Sequence, residues 1–336
     1  MDIKEAIGNI VSHKDLSSGE MEAVMRQIMT GGATPTQIGG FLAGLRAKGE
    51  TVTEISAAAR VMREFALPVK VGAAHLVDTC GTGGDARGLF NVSTAAAFVV
   101  AAAGGHVAKH GNRSMSSKSG SADVLEAMGV QIEQPPERVA ESIEKIGFGF
   151  MFAPAHHPAA HYAAAPRREL GTRTLFNLLG PLTNPANAPH QLMGVFAERW
   201  VEPIAHVLQS LGSRHVLVVH SEDGLDEISI ASPTSVAELR DGAIKRYRVQ
   251  PEDFGVRRQP LEPLLVQSPE ESHAFIQEAL SGKPGPAHDM TLLNAGAAIY
   301  AADLADSLPK GVDKAREVIG SGGAARKLKE YVEATR

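Results

Sequence analysis

Cysteine occurs once among 336 residues, tryptophan once and tyrosine four times. The lone Cys80 excludes an intrachain disulfide and any cysteine-rich zinc site. Long apolar runs are missing too. The longest, residues 95–105, is rich in alanine and too short to span a bilayer. No apolar signal core follows Lys4 and Glu5, so the expectation is a soluble cytoplasmic protein. Nor is there an excess of positive charge. With 33 basic and 38 acidic residues the net charge is −5, which offers no electrostatic footprint for duplex nucleic acid or an anionic membrane. A 43% hydrophobic content excludes a disordered chain, and the length suits about two domains.

What is present is organised in two parts. Within the first 66 residues, three capping boxes (Ser17 with Glu20, Thr34 with Gln37, Thr51 with Glu54) each open a stretch of helical apolar spacing. The stripe of Met21, Met25 and Met29 in the first of them reads as core or interface. From about residue 74 strands and helices alternate. Strands are expected over 75–80, 107–110, 130–132, 148–152, 191–196 and 215–220. Helices are expected over 93–103, 122–128, 137–146, 198–211, 291–304 and 312–319. Residues 156–179 read as interrupted helix and 230–285 as strands and loops. Such alternation implies an α/β fold: a small N-terminal helical domain, 1–70, and a larger α/β domain, 71–336, with a mainly parallel central sheet flanked by helices.

Three loops carry chemistry. Cys80-Gly81-Thr82-Gly83-Gly84-Asp85 follows a strand, and its glycines let backbone amides approach phosphate oxygens near a helix start; it also suits a tight strand-to-helix turn. It lacks the Gly-Lys-Ser/Thr of a Walker loop. Residues 109–121 pack Lys109, Arg113, Lys118, Asn112 and five serines behind another strand, a composition suited to phosphate or to a polar surface loop. Asp226-Glu227 follows the strand over 215–220. Adjacent carboxylates are a solvated turn in isolation, but beside two phosphate loops they suit Mg²⁺ and a diphosphate. These features alone point to a Mg²⁺-dependent enzyme acting on a phosphorylated sugar.

The same residues, in order, resemble the anthranilate phosphoribosyltransferases of tryptophan biosynthesis. The motifs are Gly81-Thr82-Gly83-Gly84-Asp85, Asn91-Val92-Ser93-Thr94, Lys109-His110-Gly111-Asn112-Arg113 and Arg167-Arg168-Glu169-Leu170-Gly171. Phe176-Asn177-Leu178-Leu179-Gly180-Pro181-Leu182, Gly224-Leu225-Asp226-Glu227 and Asn294-Ala295-Gly296 extend the likeness along nearly the whole chain. The resemblance implies transfer of a phosphoribosyl group from phosphoribosyl pyrophosphate to the amine of anthranilate, with release of pyrophosphate. It implies the class II-like nucleoside phosphorylase fold, with helices from about 160–185 returning to the helical domain, and a homodimer formed through that domain.

Carried over by motif, the donor substrate would be held by Gly81, Gly84, Asp85, Asn91, Val92, Ser93 and Thr94. It would also meet Lys109, His110, Gly111, Asn112, Arg113, Ser114, Met115, Ser116, Ser117 and Ser121. Two Mg²⁺ ions would be served by Ser93, Asp226 and Glu227, and the catalytic residues would be Lys109, Asp226 and Glu227. Anthranilate would meet Gly81, His110, Asn112, Pro154, His157 and Arg167. Departures from the family pattern are Ala86, Leu89, the pair Ala160-His161 and Pro166. Two other readings are a pyrimidine nucleoside phosphorylase of the same fold group and a non-enzymatic nucleic-acid-binding paralogue. The acidic pair and the chain length argue against the first, and the net charge against the second.

Overall fold

A computed structural model describes residues 1–83, 88–114 and 118–336. Four helices begin the chain: α1 (Ile3–Val11), α2 (Ser18–Met29), α3 (Pro35–Lys48) and α4 (Val52–Glu64). All three capping boxes form, with Ser17, Thr34 and Thr51 each accepting the amide of the residue three positions on. The first helix was not among the three expected. Asp2 caps it, and it lays Ile3, Ala6 and Ile10 against the bundle. Glu54 does more than cap: fully buried, it accepts from the Leu16 amide (2.9 Å) and from Lys48 (3.0 Å), tying the α1–α2 loop to α4.

The alternating part follows: β1 (Leu76–Gly81), α5 (Val92–Ala102), β2 (His106–Gly111), α6 (Ser121–Ala127), α7 (Pro136–Ile146) and β3 (Phe148–Phe152). Next come α8 (Ala153–His156), α9 (Ala164–Leu170), α10 (Leu175–Leu182), β4 (His190–Gly194), α11 (Val201–Ser210) and β5 (His215–Ser221). The chain closes with β6 (Thr234–Arg240), β7 (Ala243–Val249), α12 (Pro269–Leu280), α13 (Pro286–Ala301), α14 (Leu308–Gly320) and α15 (Gly323–Ala334). No strand forms over 130–132, contrary to expectation. Val130 and Ile132 are buried as loop residues in the main core, and β3 is the segment that pairs with β2. Helices α12 and α15 were also unanticipated.

The sheet runs β3-β2-β1-β4-β5-β6-β7, parallel through β5 and antiparallel for the last two strands. Alternation along β5 divides two cores: Leu217 and Val219 face the helices α5 and α13, while Val216 and Val218 join the core of the helical bundle. That second core is continuous through Ala163, Leu175 and Leu179 with Met25, Ile28 and Leu42. Strand order reverses between β1 and β4, the place where open parallel sheets leave a crevice at their carboxyl ends.

Candidate functional site

At that crevice lies a cavity of about 700 Å³, lined from β1, β2, the loop after β5 and the helices α8 to α10. Gly81 ends β1 and is the in-register neighbour of Gly194, which ends β4. Over both lies Asp226. A methyl group added at Gly194 would overlap the Asp226 carbonyl oxygen and stand 2.5 Å from its carbonyl carbon; one at Gly81 would overlap Oδ2. The two glycines therefore form a cradle into which the acidic loop is laid. Gly83 N–H donates to Asp226 Oδ2 (2.8 Å), fastening the glycine loop to the same carboxylate.

Lys109 comes up from β2 and is only 1% exposed. Its ammonium donates to the Thr79 carbonyl and to Ser93 Oγ (3.1 Å). Behind it Asp78 is buried on β1, where its carboxylate accepts from Asn184 Nδ2 (2.7 Å) and from the His110 amide (3.3 Å). Burial pushes the Asp78 carboxyl up and the Lys109 ammonium down, and each is the other's main opposing charge. Asp78 was not anticipated as part of the site. A charged residue in the middle of an apolar strand was the available signal. The Lys109 side chain is thus held at the base of the cavity by the Thr79 carbonyl and Ser93, with Asp78 as its nearby opposing charge.

On the opposite wall, His110 Nδ1 meets the Gly180 carbonyl (3.1 Å), and its Nε2 is buried without a hydrogen-bond partner among the described residues. The His157 ring stands 5.0 Å from it, with both nitrogens buried and unpartnered among the described residues. Desolvation pulls both rings below the usual histidine range, His157 to about 4. Both are neutral at pH 7. As pH falls below about 6.5 the unfolded chain takes up its proton before the folded one, so stability present above that value is lost progressively toward pH 4. Thermal unfolding between pH 7 and 4.5 should show a falling Tm, with a shallower slope in His157→Gln.

Arg167 lies half-buried at the cavity wall, its guanidinium 5.1 Å over the Phe176 ring. Burial alone lowers its proton affinity, and among the described residues it has no carboxylate partner. An incompletely solvated cation without a counter-ion in a cavity suits an anionic ligand. Phe176, Asn177 and Gly180 line the same wall, as does Met62 from α4, so the helical bundle contributes directly to the cavity.

Other expected residues fall as follows. Asn91, Val92, Ser93, Asn112, Ser114, Ser121 and Pro154 line the cavity. Asn91 accepts from Ser119 Oγ and Ser272 Oγ, both at 2.7 Å, anchoring the end of the second loop to α12. Gly111 has its space filled by Ser121 and Phe150. Thr94 is fully buried and does not line the cavity, and its hydroxyl has no hydrogen-bond partner among the described residues. Arg113 borders the cavity, yet its guanidinium is engaged by Glu126, with Asp123 3.5 Å away. Leu89, a departure from the family pattern, makes a backbone bridge with Leu265 and packs on the core. Gly84, Asp85, Ala86, Met115, Ser116 and Ser117 lie outside the described residues. Cys80 accepts from Gln191 Nε2 (3.1 Å), and burial beside Asp78 drives its thiol well up, the condition of an inert structural thiol.

The acidic pair fits a hard divalent cation. Its donors are carboxylate oxygens, and the glycine cradle exists to admit one of them. No helix among the described residues is long and apolar enough to cross a membrane.

Comparison with known proteins gives a consistent result. Residues 4–66 match the helical bundle domain of a glycosyl transferase family, and residues 73–325 match the α/β domain of that family. A curated anthranilate phosphoribosyltransferase from Thioalkalivibrio sulfidiphilus is 62% identical over 335 residues, covering 100% of this chain and 99% of the relative. A crystal structure of anthranilate phosphoribosyltransferase from Thermus thermophilus superposes with a TM-score of 0.93 at 48% identity, over 98% of this chain and 99% of that one. The Saccharomyces cerevisiae enzyme, solved in complex with PRPP and Mg, superposes with a TM-score of 0.89 at 26% identity, over 99% and 97%.

Proposed function

The chain belongs to the anthranilate phosphoribosyltransferases, a glycosyl transferase family, and on that premise we propose that its cavity joins phosphoribosyl pyrophosphate to anthranilate. The product is N-(5-phosphoribosyl)anthranilate and the leaving group pyrophosphate, the second step from chorismate to tryptophan. One observation carries the reading: the buried Lys109, the glycine-cradled Asp226 and Arg167, which has no carboxylate partner among the described residues, all border one cavity at the strand-order reversal.

The donor's diphosphate meets the carboxyl ends of β1 and β2, where Ser93, Asn91, Asn112 and the loop amides offer donors. Ser93, Asp226 and Glu227 would hold two Mg²⁺ ions, which would supply charge neutralisation for a pyrophosphate leaving group. Lys109 adds a fixed positive charge on the same side, already paid for by folding and needing no rearrangement as the C1–O bond breaks. Anthranilate's carboxylate is assigned to Arg167, with Asn112, His110, Pro154 and His157 around its ring. Its amine is neutral at pH 7, so positioning and leaving-group stabilisation suffice without a general base.

The unit 1–70 with about 160–185, against 71–336, belongs to this proposal. It is supported by the apolar core that joins Ala163 and Leu175 to the first four helices. A homodimer through the helical unit and a cytoplasmic location complete it.

Arg167→Ala tests the acceptor assignment. Loss of a charge-assisted pair should raise KM for anthranilate by about 10- to 100-fold. KM for phosphoribosyl pyrophosphate should move far less; equal effects on the two substrates place Arg167 elsewhere.

A further inference from the structure

The opposite end of the sheet carries a second cluster with no part in the transfer reaction. His190 and His215 open β4 and β5 and are in-register partners, so both side chains leave the sheet on the same face. They are 4% and 2% exposed. Asp303, in the left-handed region (φ 55°) just beyond α13, places its carboxylate against both rings. Its Oδ1 is 2.7 Å from His215 Nδ1, and its Oδ2 is 3.9 Å from His190 Nδ1. One ligand atom from each of the three residues lies within 4.8 Å of the other two.

We propose that His190, His215 and Asp303 bind a single transition-metal dication, Zn²⁺ by the chemistry of the donors, at a site separate from the cavity that holds the substrates. Two imidazoles and one carboxylate are a borderline donor set that suits Zn²⁺, whereas Mg²⁺ takes oxygen. Four-coordinate zinc with ligands about 2.0–2.1 Å away sets them roughly 3.3 Å apart. The present separations, 2.7 Å from His215 to Oδ1 and 3.9 Å from His190 to Oδ2, lie on either side of that value, and with all three ligand atoms within 4.8 Å of one another, ring and carboxylate rotations complete the set.

Two further features fit a metal and are not needed by a simple ion pair. His190 Nδ1, the atom facing Asp303, is buried without a hydrogen-bond partner among the described residues. His215 turns its other nitrogen, Nε2, toward Glu238 Oε1 at 3.4 Å, and Glu238 is itself fixed by the Tyr300 hydroxyl (2.6 Å). A carboxylate behind the distal N–H of a histidine orients the ring of a metal ligand and raises its basicity. Asp303 opens onto a small surface cavity of about 140 Å³, a route of entry and room for a water ligand. Arg214 and Arg240 border that cavity too, together with the carboxylates of Asp241 and Asp306; the Arg240 guanidinium donates to Tyr300 (3.0 Å) and lies 3.8 Å from Asp241.

The inference does not rest on the transferase reading, and its test does not use turnover. Full-length protein stripped of metal is titrated with Zn²⁺ against a chromophoric zinc indicator, in excess Mg²⁺. The expected result is one Zn²⁺ per chain, with Co²⁺ giving the visible absorption of a four-coordinate ion. Asp303→Asn, which tolerates the left-handed backbone, should weaken binding by about tenfold or more while the circular dichroism stays unchanged. His190→Gln should do the same, and Asp226→Asn should leave zinc binding intact. Absence of stoichiometric binding overturns the proposal. So does zinc affinity that survives both Asp303→Asn and His190→Gln, or that is lost in Asp226→Asn.

Discussion

Asp226→Asn should lower turnover at saturating substrates by about 10²–10³-fold, with the fold retained. Two effects combine. The substitution removes a negative charge from the acidic pair assigned to Mg²⁺, and it replaces or redirects the oxygen that accepts from Gly83 N–H at 2.8 Å. The carboxylate thus fastens the glycine loop as well as being one of the groups assigned to the ion. Steady-state rates at rising Mg²⁺ separate the two. If the defect is chiefly one of ion affinity, excess Mg²⁺ recovers part of the rate. If the loop has shifted, the loss persists and KM for phosphoribosyl pyrophosphate rises with it. Wild-type rates at limiting Mg²⁺ would remove Asp226 from the metal role.

Gly194→Ala should be about as damaging to activity and more damaging to stability, although residue 194 offers no functional group. Its methyl would overlap the Asp226 carbonyl oxygen and press on Asp226 Cβ at 2.9 Å. Backbone atoms on both sides leave no flexible side chain to yield. The acidic loop must lift, and a displacement of about 1 Å at a reacting centre costs about 10²-fold in rate. Overpacking of this kind destabilises by about 1–3 kcal/mol. Gly320→Ala is the control: a methyl there meets nothing within 4 Å, and alanine is the better helix former. Chemical denaturation and turnover of the two variants side by side check the claim; equal behaviour would show that the loop accommodates the methyl.

The sequence is most legible where local chemistry decides the structure. The helix starts at Ser17, Thr34 and Thr51 were readable because each cap and its reciprocal Glu or Gln lie three residues apart. Strand ends carrying Gly81 and Lys109 were readable because glycines and cations behind apolar runs have few other uses. Helix α12 carried comparable signals, Ser268 as its cap and Pro269 at its first position, inside a segment read only as strands and loops. Residues 130–132 show the converse. Buried alternating apolar residues look like a strand, but Val130 and Ile132 bury themselves in the main core as loop residues without joining the sheet.

The site divides along the same line. Its loops were visible as motifs, whereas the contacts that hold them depend on strand order. Asp78 faces Lys109 from the neighbouring strand, 31 positions earlier in the chain. Gly194 meets Asp226 only because β4 is laid beside β1 and the loop after β5 folds back over both. His190 and His215 were unremarkable singly and became a cluster through the register of β4 against β5.

The central claim is that one cavity joins this donor to this acceptor with the help of Mg²⁺. The most direct measurement follows anthranilate fluorescence on addition of phosphoribosyl pyrophosphate, with Mg²⁺ present and then chelated by EDTA, while pyrophosphate is counted. The account predicts loss of fluorescence matched one for one by pyrophosphate, stopped by EDTA and restored by excess Mg²⁺. Unchanged fluorescence in folded protein that binds phosphoribosyl pyrophosphate would contradict it, as would turnover indifferent to EDTA.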